Sequence, residues 1–103
     1  MQKKINRAIP VRKGEWEEEG QRVVLLKKKS KYKLLRKLWG KYFRIHLDDI
    51  GSQAWMLCDG SHTVEQIAKK LEEKFGIDDS LKRTETFLLS LYKGDFLEFR
   101  IKE

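Results

Sequence analysis

Apolar and polar positions alternate in the first half of the chain, a pattern typical of β-strands. Residues 15–19 and 22–26 form two short runs on either side of Gly20-Gln21, which predicts a β-hairpin. Residues 42–47 alternate in the same way and place Phe43, Ile45 and Leu47 on one face. This spacing predicts a third strand that is half-buried.

The second half changes to helical spacing, with three apolar stripes separated by capping residues and glycines. Asp48 or Asp49 is predicted to cap the first helix, and Thr63 with Gln66 forms a capping box for the second. The third helix is predicted to start near Asp79 or Ser80. The predicted core faces are Ile50, Ala54, Leu57 and Cys58, then Val64, Ile67, Ala68, Leu71 and Phe75, then Leu81, Thr84, Leu88 and Leu91.

Residues 27–41 are rich in lysine and contain no acidic residue. Leucines and aromatics at helical spacing within them predict a short amphipathic helix over 31–39. A basic amphipathic helix can lie on a membrane surface, but more often it packs on its own domain. We favour the second interpretation.

Together these elements predict one α+β domain over residues 1–103 with a winged-helix-like arrangement. Its parts are a flexible arm (1–10), a hairpin, basic insertion and third strand (11–47), three helices (48–94) and a terminal strand or wing (95–103). The sheet is expected to be a small antiparallel β-ribbon of about three strands, followed by a three-helix bundle.

Charge is distributed unevenly along the chain, whose net charge is +7. Residues 1–47 carry 15 Lys and Arg against 4 Glu, whereas residues 48–103 carry 8 basic against 12 acidic residues. A basic surface of this kind suits an acidic partner, although solvated lysines explain it equally well. No apolar run is long enough to cross a membrane, and no signal peptide is apparent. With a single cysteine, Cys58, we expect a cytoplasmic protein.

Residues that could perform catalysis or bind a metal are few and scattered. His46, His62 and Cys58 have no partners at metal-ligand spacing. The paired carboxylates Asp48-Asp49 and Asp78-Asp79 precede helices, where capping explains them. We therefore expect no enzyme activity, no metal and no cofactor. The remaining candidate function is binding. The open edge of the third strand, 42–47, is suited to receive an added peptide strand.

Residues 46–67 resemble the PqqD family, whose members are also called RiPP recognition elements. The family pattern Trp-x-x-x-Asp-Gly-x-x-Thr-x-x-x-Ile is matched by Trp55, Asp59, Gly60, Thr63 and Ile67. The resemblance extends over about residues 42–98, and the motif residues are expected to be structural. Trp55 would pack beneath the sheet, and Asp59-Gly60 would form the turn between two helices.

This resemblance implies a non-catalytic peptide chaperone that binds the leader of a ribosomally made precursor peptide. The leader would add as a strand beside 42–47, in a groove walled by the third helix, and be presented to a modifying enzyme such as a radical S-adenosylmethionine maturase. The residue types at the family's binding positions vary, so the resemblance transfers these positions to this chain only by their location in the fold. The expected peptide-binding residues are Tyr42, Phe43, Arg44, Ile45, His46, Leu47, Arg83 and Phe87.

Two other functions fit parts of the pattern. A winged-helix nucleic-acid-binding protein would use the basic half, but the second helix exposes a mixture of glutamates and lysines that phosphates would partly repel. Nucleic acid is thus the less favoured partner. A third interpretation is an adaptor that docks only on another protein. The sequence does not determine the oligomeric state.

Overall fold

The computed structural model describes residues 7–28 and 42–101 of the chain. Its elements occur in the order β1 (Ala8–Arg12), β2 (Glu15–Glu19), β3 (Arg22–Lys28), β4 (Tyr42–His46), α1 (Asp49–Leu57), α2 (Val64–Phe75), α3 (Ser80–Lys93) and β5 (Leu97–Ile101). Small antiparallel sheets and three helices make this an α+β fold, as predicted. The helix predicted over 31–39 lies outside the described residues. The finer winged-helix arrangement and the division into a single domain stay predictions.

The strands form two antiparallel sheets. One is three-stranded in the order β2-β3-β4, and the other pairs β1 with β5. Gly20, with φ +65°, lies in the tight turn between β2 and β3, where a side chain would be strained. The hairpin and the third predicted strand are therefore confirmed as strands.

The chain around Pro10 differs from the prediction. Residues 1–10 were expected to be a flexible arm, but Ala8–Arg12 form strand β1, and Ala8 and Pro10 are buried. The arm is therefore wrong from Ala8 onward. Proline is compatible with this strand because Pro10 pairs with Phe99 at a position that needs no N–H toward β5. The Arg12 guanidinium also donates to the carbonyl oxygens of Trp55 (3.3 Å) and Met56 (2.8 Å), at the end of α1.

Two of the helix starts follow the capping prediction. Asp48 caps α1 by accepting from the N–H of Gly51 at 2.7 Å, and Thr63 with Gln66 forms the complete capping box of α2. The third helix starts at Ser80, as predicted, with Asp79 as its N-cap residue. Asp79 has φ +55° and makes no side-chain capping bond, so its carboxylate does not cap α3 as expected. Instead the buried Ser80 hydroxyl donates to Ala68 O at 2.6 Å, which attaches the start of α3 to α2.

One core lies between the three-stranded sheet and the helices. Trp55 is fully buried there, and its ring meets the Trp16 ring edge-on at 6.2 Å. It is packed as the resemblance implied. The core also contains Val23, Leu25, Leu47, Ala54, Cys58, Val64, Ile67, Leu71, Leu88, Leu91, Phe96 and Leu97.

Three residues predicted on buried faces are more exposed than expected. Ile45 and Ile50 are each 38% exposed, and Leu81 is 37% exposed. Helix α3 is rotated so that Ser80, rather than Leu81, continues the inward row of Thr84, Leu88 and Leu91. Ile45 lies on an edge strand of its sheet, and Ile50 lines a cleft.

Candidate functional site

A cleft of about 410 Å³ lies between the end of β4, the first turn of α1 and one flank of α3. Most of its surface is apolar, with charged groups at the rim. Its lining residues are His46, Leu47, Asp48, Ile50, Gly51, Ala54, Leu71, Ile77, Ser80, Arg83, Thr84 and Phe87. The cleft thus brings together four of the eight predicted site residues: His46, Leu47, Arg83 and Phe87.

Gly51 determines how closely α1 and α3 approach in this cleft. A Cβ placed on Gly51 would lie 3.3 Å from Phe87 Cζ and 3.1 Å from the Asp48 carboxylate. Both distances are tighter than ordinary contacts, so the glycine leaves room for the Phe87 ring. The role of Gly51 was not predicted from the sequence, although a glycine inside a helix often marks a close approach of neighbouring groups.

The backbone of β4 has a defined outward edge. Leu47 N–H donates to Val23 O at 2.9 Å, which makes Val23 and Leu47 a hydrogen-bonded pair. Such pairs alternate along an antiparallel ladder, so residues 43 and 45 also direct their backbone groups toward β3. Residues 42, 44 and 46 therefore direct their N–H and C=O groups away from β3. Within the described ranges no strand pairs with that side of β4.

The side chains on the two faces of β4 differ in their surroundings. Arg44 forms an ion pair with Glu17 and lies 3.8 Å from Glu19, which also lies 3.9 Å from His46 Nδ1. The guanidinium of Arg44 is thus engaged by β2. Ile45 projects to the opposite face, the same face as the buried Leu47, yet it remains exposed.

Arg83 stands out among the charged groups of the cleft. Its side chain lies on an exposed position of α3, and within residues 7–28 and 42–101 it forms no ion pair. Asp48, by contrast, is engaged in capping α1. Tyr42 and Phe43 are part of the β4 backbone, and their side chains lie outside the described part of the structure.

The structure defines the surroundings of Cys58 and His62, two of the candidate chemical groups. Burial raises the pKa of the Cys58 thiol to about 12, so the thiol stays protonated at neutral pH. Ser61 Oγ and Asp59 Oδ1 both lie 3.1 Å from the same nitrogen of His62, Nδ1, so they do not form a relay through the ring. In the described ranges no cluster of three His, Cys, Asp or Glu side chains is suited to a metal ion, and no helix has both the length and the apolar character to cross a membrane.

Comparison with known families settles the relationship that the motif suggested. The family model described as coenzyme PQQ synthesis protein D (PqqD) matches residues 22–97. The chain belongs to the PqqD family. This membership implies involvement in the biosynthesis of pyrroloquinoline quinone or of another ribosomally made peptide product, and PqqD proteins are non-catalytic accessory binding proteins. No curated protein and no solved structure matches the chain.

Proposed function

We propose that this PqqD-family chain is a non-catalytic binding module that holds the leader segment of a precursor peptide. The leader adds as a strand to the outward edge of β4 and follows the cleft toward α3. The bound precursor is then presented to a separate modifying enzyme, for which a radical S-adenosylmethionine maturase is the expected class.

The backbone of β4 is the observation that carries the proposal. Three residues, 42, 44 and 46, present N–H and C=O groups away from β3, which is what an added strand needs for its own ladder. Main-chain hydrogen bonds of this kind supply affinity for many sequences, while neighbouring pockets supply selectivity.

The cleft beside this edge supports the same function. Its apolar floor, which includes Ile50 and Phe87, suits a bulky apolar side chain of the leader. A peptide strand would also cover Ile45, the apolar residue that the helices leave exposed. Arg83 at the rim favours a leader with an acidic residue close to that apolar anchor.

The proposal is tested by replacing one outward N–H of β4. His46→Pro removes an N–H that faces the incoming strand but leaves the β3 ladder intact, because His46 does not donate to β3. His46→Ala is the matched control, since it removes the imidazole and keeps the N–H. The ligands are synthetic leader segments of precursor-like peptides encoded beside the gene, titrated into the ¹⁵N-labelled chain.

We expect His46→Pro to bind at least about fivefold more weakly than His46→Ala, since both variants lack the imidazole and only His46→Pro also lacks the N–H. Amide shifts should concentrate at residues 42–47 and on the Arg83 flank of α3. Shifts confined to β2 and β3, with residues 42–47 silent, would refute the site. If the chain instead binds DNA with an affinity that falls steeply as salt increases, the nucleic-acid alternative is favoured.

A further inference from the structure

Strand β5 has an edge of its own, in the sheet that does not contain β4. It pairs with β1 on one side, and the described part of the chain supplies no strand on the other. Lys13 N–H donates to Phe96 O at 3.0 Å, which fixes the alternation of the β1–β5 ladder. Glu98 and Arg100 therefore direct their backbone groups toward β1.

The remaining positions of β5 face the open side. Residues 97, 99 and 101 direct their N–H and C=O groups away from β1 by the same alternation. The β1 partner agrees with this assignment, because Arg12, opposite Leu97, donates its N–H to Cys58 O rather than to β5. A second strand could thus form hydrogen-bonded pairs with residues 97, 99 and 101.

The sequence of β5 is complementary to itself in one antiparallel register. It runs apolar, acidic, aromatic, basic, apolar over Leu97–Ile101. When two copies pair with Phe99 opposite Phe99, each Glu98 lies opposite the Arg100 of the other copy. The neighbouring symmetric registers place Glu98 opposite Glu98, or Arg100 opposite Arg100, and like charges directly opposite destabilise a sheet. The charges therefore select the register centred on Phe99.

Exposed apolar side chains lie on β5 and on the end of α3 that packs against it. Ile101 is 80% exposed and Tyr92 is 52% exposed, and the Tyr92 ring lies 5.3 Å from the Phe99 ring. In the register centred on Phe99, Ile101 of one copy lies opposite Leu97 of the other, diagonally next to Phe99. Pairing would thus cover apolar surface that the isolated chain leaves in water.

From these observations we propose that β5 joins two copies of this chain in a symmetric dimer. The two β1–β5 sheets become one four-stranded sheet in the order β1-β5-β5-β1, with a twofold axis at Phe99. Such an interface is isologous, so each residue contact occurs twice. The proposal does not depend on peptide binding, because the peptide site is assigned to β4 and α3.

Charge reversal tests the dimer and its register. Sedimentation velocity of the full chain, from micromolar to millimolar concentration, should show the mass rising from 12.3 kDa toward twice that value. Glu98→Arg and Arg100→Glu each place like charges opposite at two symmetric positions. Each variant alone should weaken dimerisation about tenfold or more. Circular dichroism and ¹⁵N spectra confirm that each variant remains folded.

Mixing the two variants gives the decisive result. In a heterodimer of Glu98→Arg with Arg100→Glu, both facing pairs become opposite in charge, so dimerisation should return to the wild-type strength. The double variant, which carries both changes in one chain, should also dimerise with itself. A wild-type chain that stays monomeric at millimolar concentration would overturn the proposal. So would single variants that dimerise like wild type, or a mixture that remains monomeric.

Discussion

Ser52 joins helix α1 to strand β3 by accepting a hydrogen bond from the backbone N–H of Val23 at 2.9 Å. The same hydroxyl lies 3.4 Å from Leu47 O, to which it donates, and all of these groups are buried. Val23 and Leu47 lie one residue beyond the last pair of the β3–β4 ladder, Val24 and His46. A helix side chain thus completes the ladder where β4 reaches the cleft, which fixes the strand edge relative to α1.

Ser52→Ala should therefore destabilise the fold by about 1–3 kcal/mol, because it leaves a buried N–H without an acceptor. The measurement is chemical denaturation followed by circular dichroism. Ser90→Ala is the matched control, since the Ser90 hydroxyl donates to Phe87 O on an exposed part of α3. It should cost less than about 0.5 kcal/mol. Equal losses of stability in the two variants would show that the Ser52 hydrogen bonds contribute no more than those of an exposed serine.

The buried thiol of Cys58 should make stability fall at alkaline pH. Burial raises the pKa of Cys58 from 9.0 to about 12, so between these values the unfolded chain releases the thiol proton and the folded chain keeps it. The free energy of unfolding then decreases with rising pH, by at most about 1.4 kcal/mol per pH unit from this group. Urea denaturation from pH 8 upward measures the free energy of unfolding of wild type and of Cys58→Ala. The variant should lose less stability per pH unit than wild type. Parallel declines would contradict the expected thiol contribution.

Asp59 should remain ionised at unusually low pH. The hydrogen bond from the Ser61 hydroxyl, at 2.6 Å, is the main cause that lowers the pKa of Asp59 from 3.8 to about 2. The favourable contribution of this carboxylate is present above the ordinary pKa and is lost as pH falls toward 2. Carboxyl ¹³C titration should give the low pKa in wild type and a value closer to 3.8 in Ser61→Ala. An unchanged pKa in the variant would remove Ser61 as the cause.

Local signals in the sequence were sufficient for the elements that satisfy their own hydrogen bonds. The capping box of Thr63 and Gln66 and the left-handed Gly76 (φ +64°) define α2 from within a few residues. The turn at Gly20 does the same for the β2–β3 hairpin. Such features depend only on residues that are close in the sequence, so they can be predicted without knowledge of the tertiary structure.

Features that depend on distant contacts were not predictable in this way. Ala8–Arg12 become a strand only because β5, about ninety residues later, provides a partner. The inward rotation of α3 that buries Ser80 rather than Leu81 depends on the acceptor Ala68 O in α2. Ser52 was likewise missed, because a small polar residue in a helix gives no sign that it faces an orphaned N–H on another strand.

The candidate site depends both on local signals in the sequence and on contacts between distant residues. The alternation of 42–47 predicts the third-strand edge, and the family resemblance places Arg83 and Phe87 beside it on the third helix. The structure brings only His46 and Leu47 of that segment together with Arg83 and Phe87 in one cleft, which depends on where α3 lies relative to the end of β4. The peptide-binding roles of all eight residues stay predictions, and Arg44 is the one whose charge is already engaged by Glu17.

Arg83 should contribute to peptide binding through its charge, in contrast to the adjacent Lys82. Both residues are exposed on α3, but only Arg83 lines the cleft. Arg83→Glu and Lys82→Glu make the same change in net charge, so long-range electrostatics alter equally and the fold should tolerate both. With a leader that carries an acidic residue beside its apolar anchor, Arg83→Glu should weaken binding by about 1 kcal/mol or more, roughly fivefold. Lys82→Glu should change affinity by less than about twofold. Isothermal titration calorimetry at two salt concentrations measures both variants, and equal losses would show that the peptide senses only the overall charge of the chain.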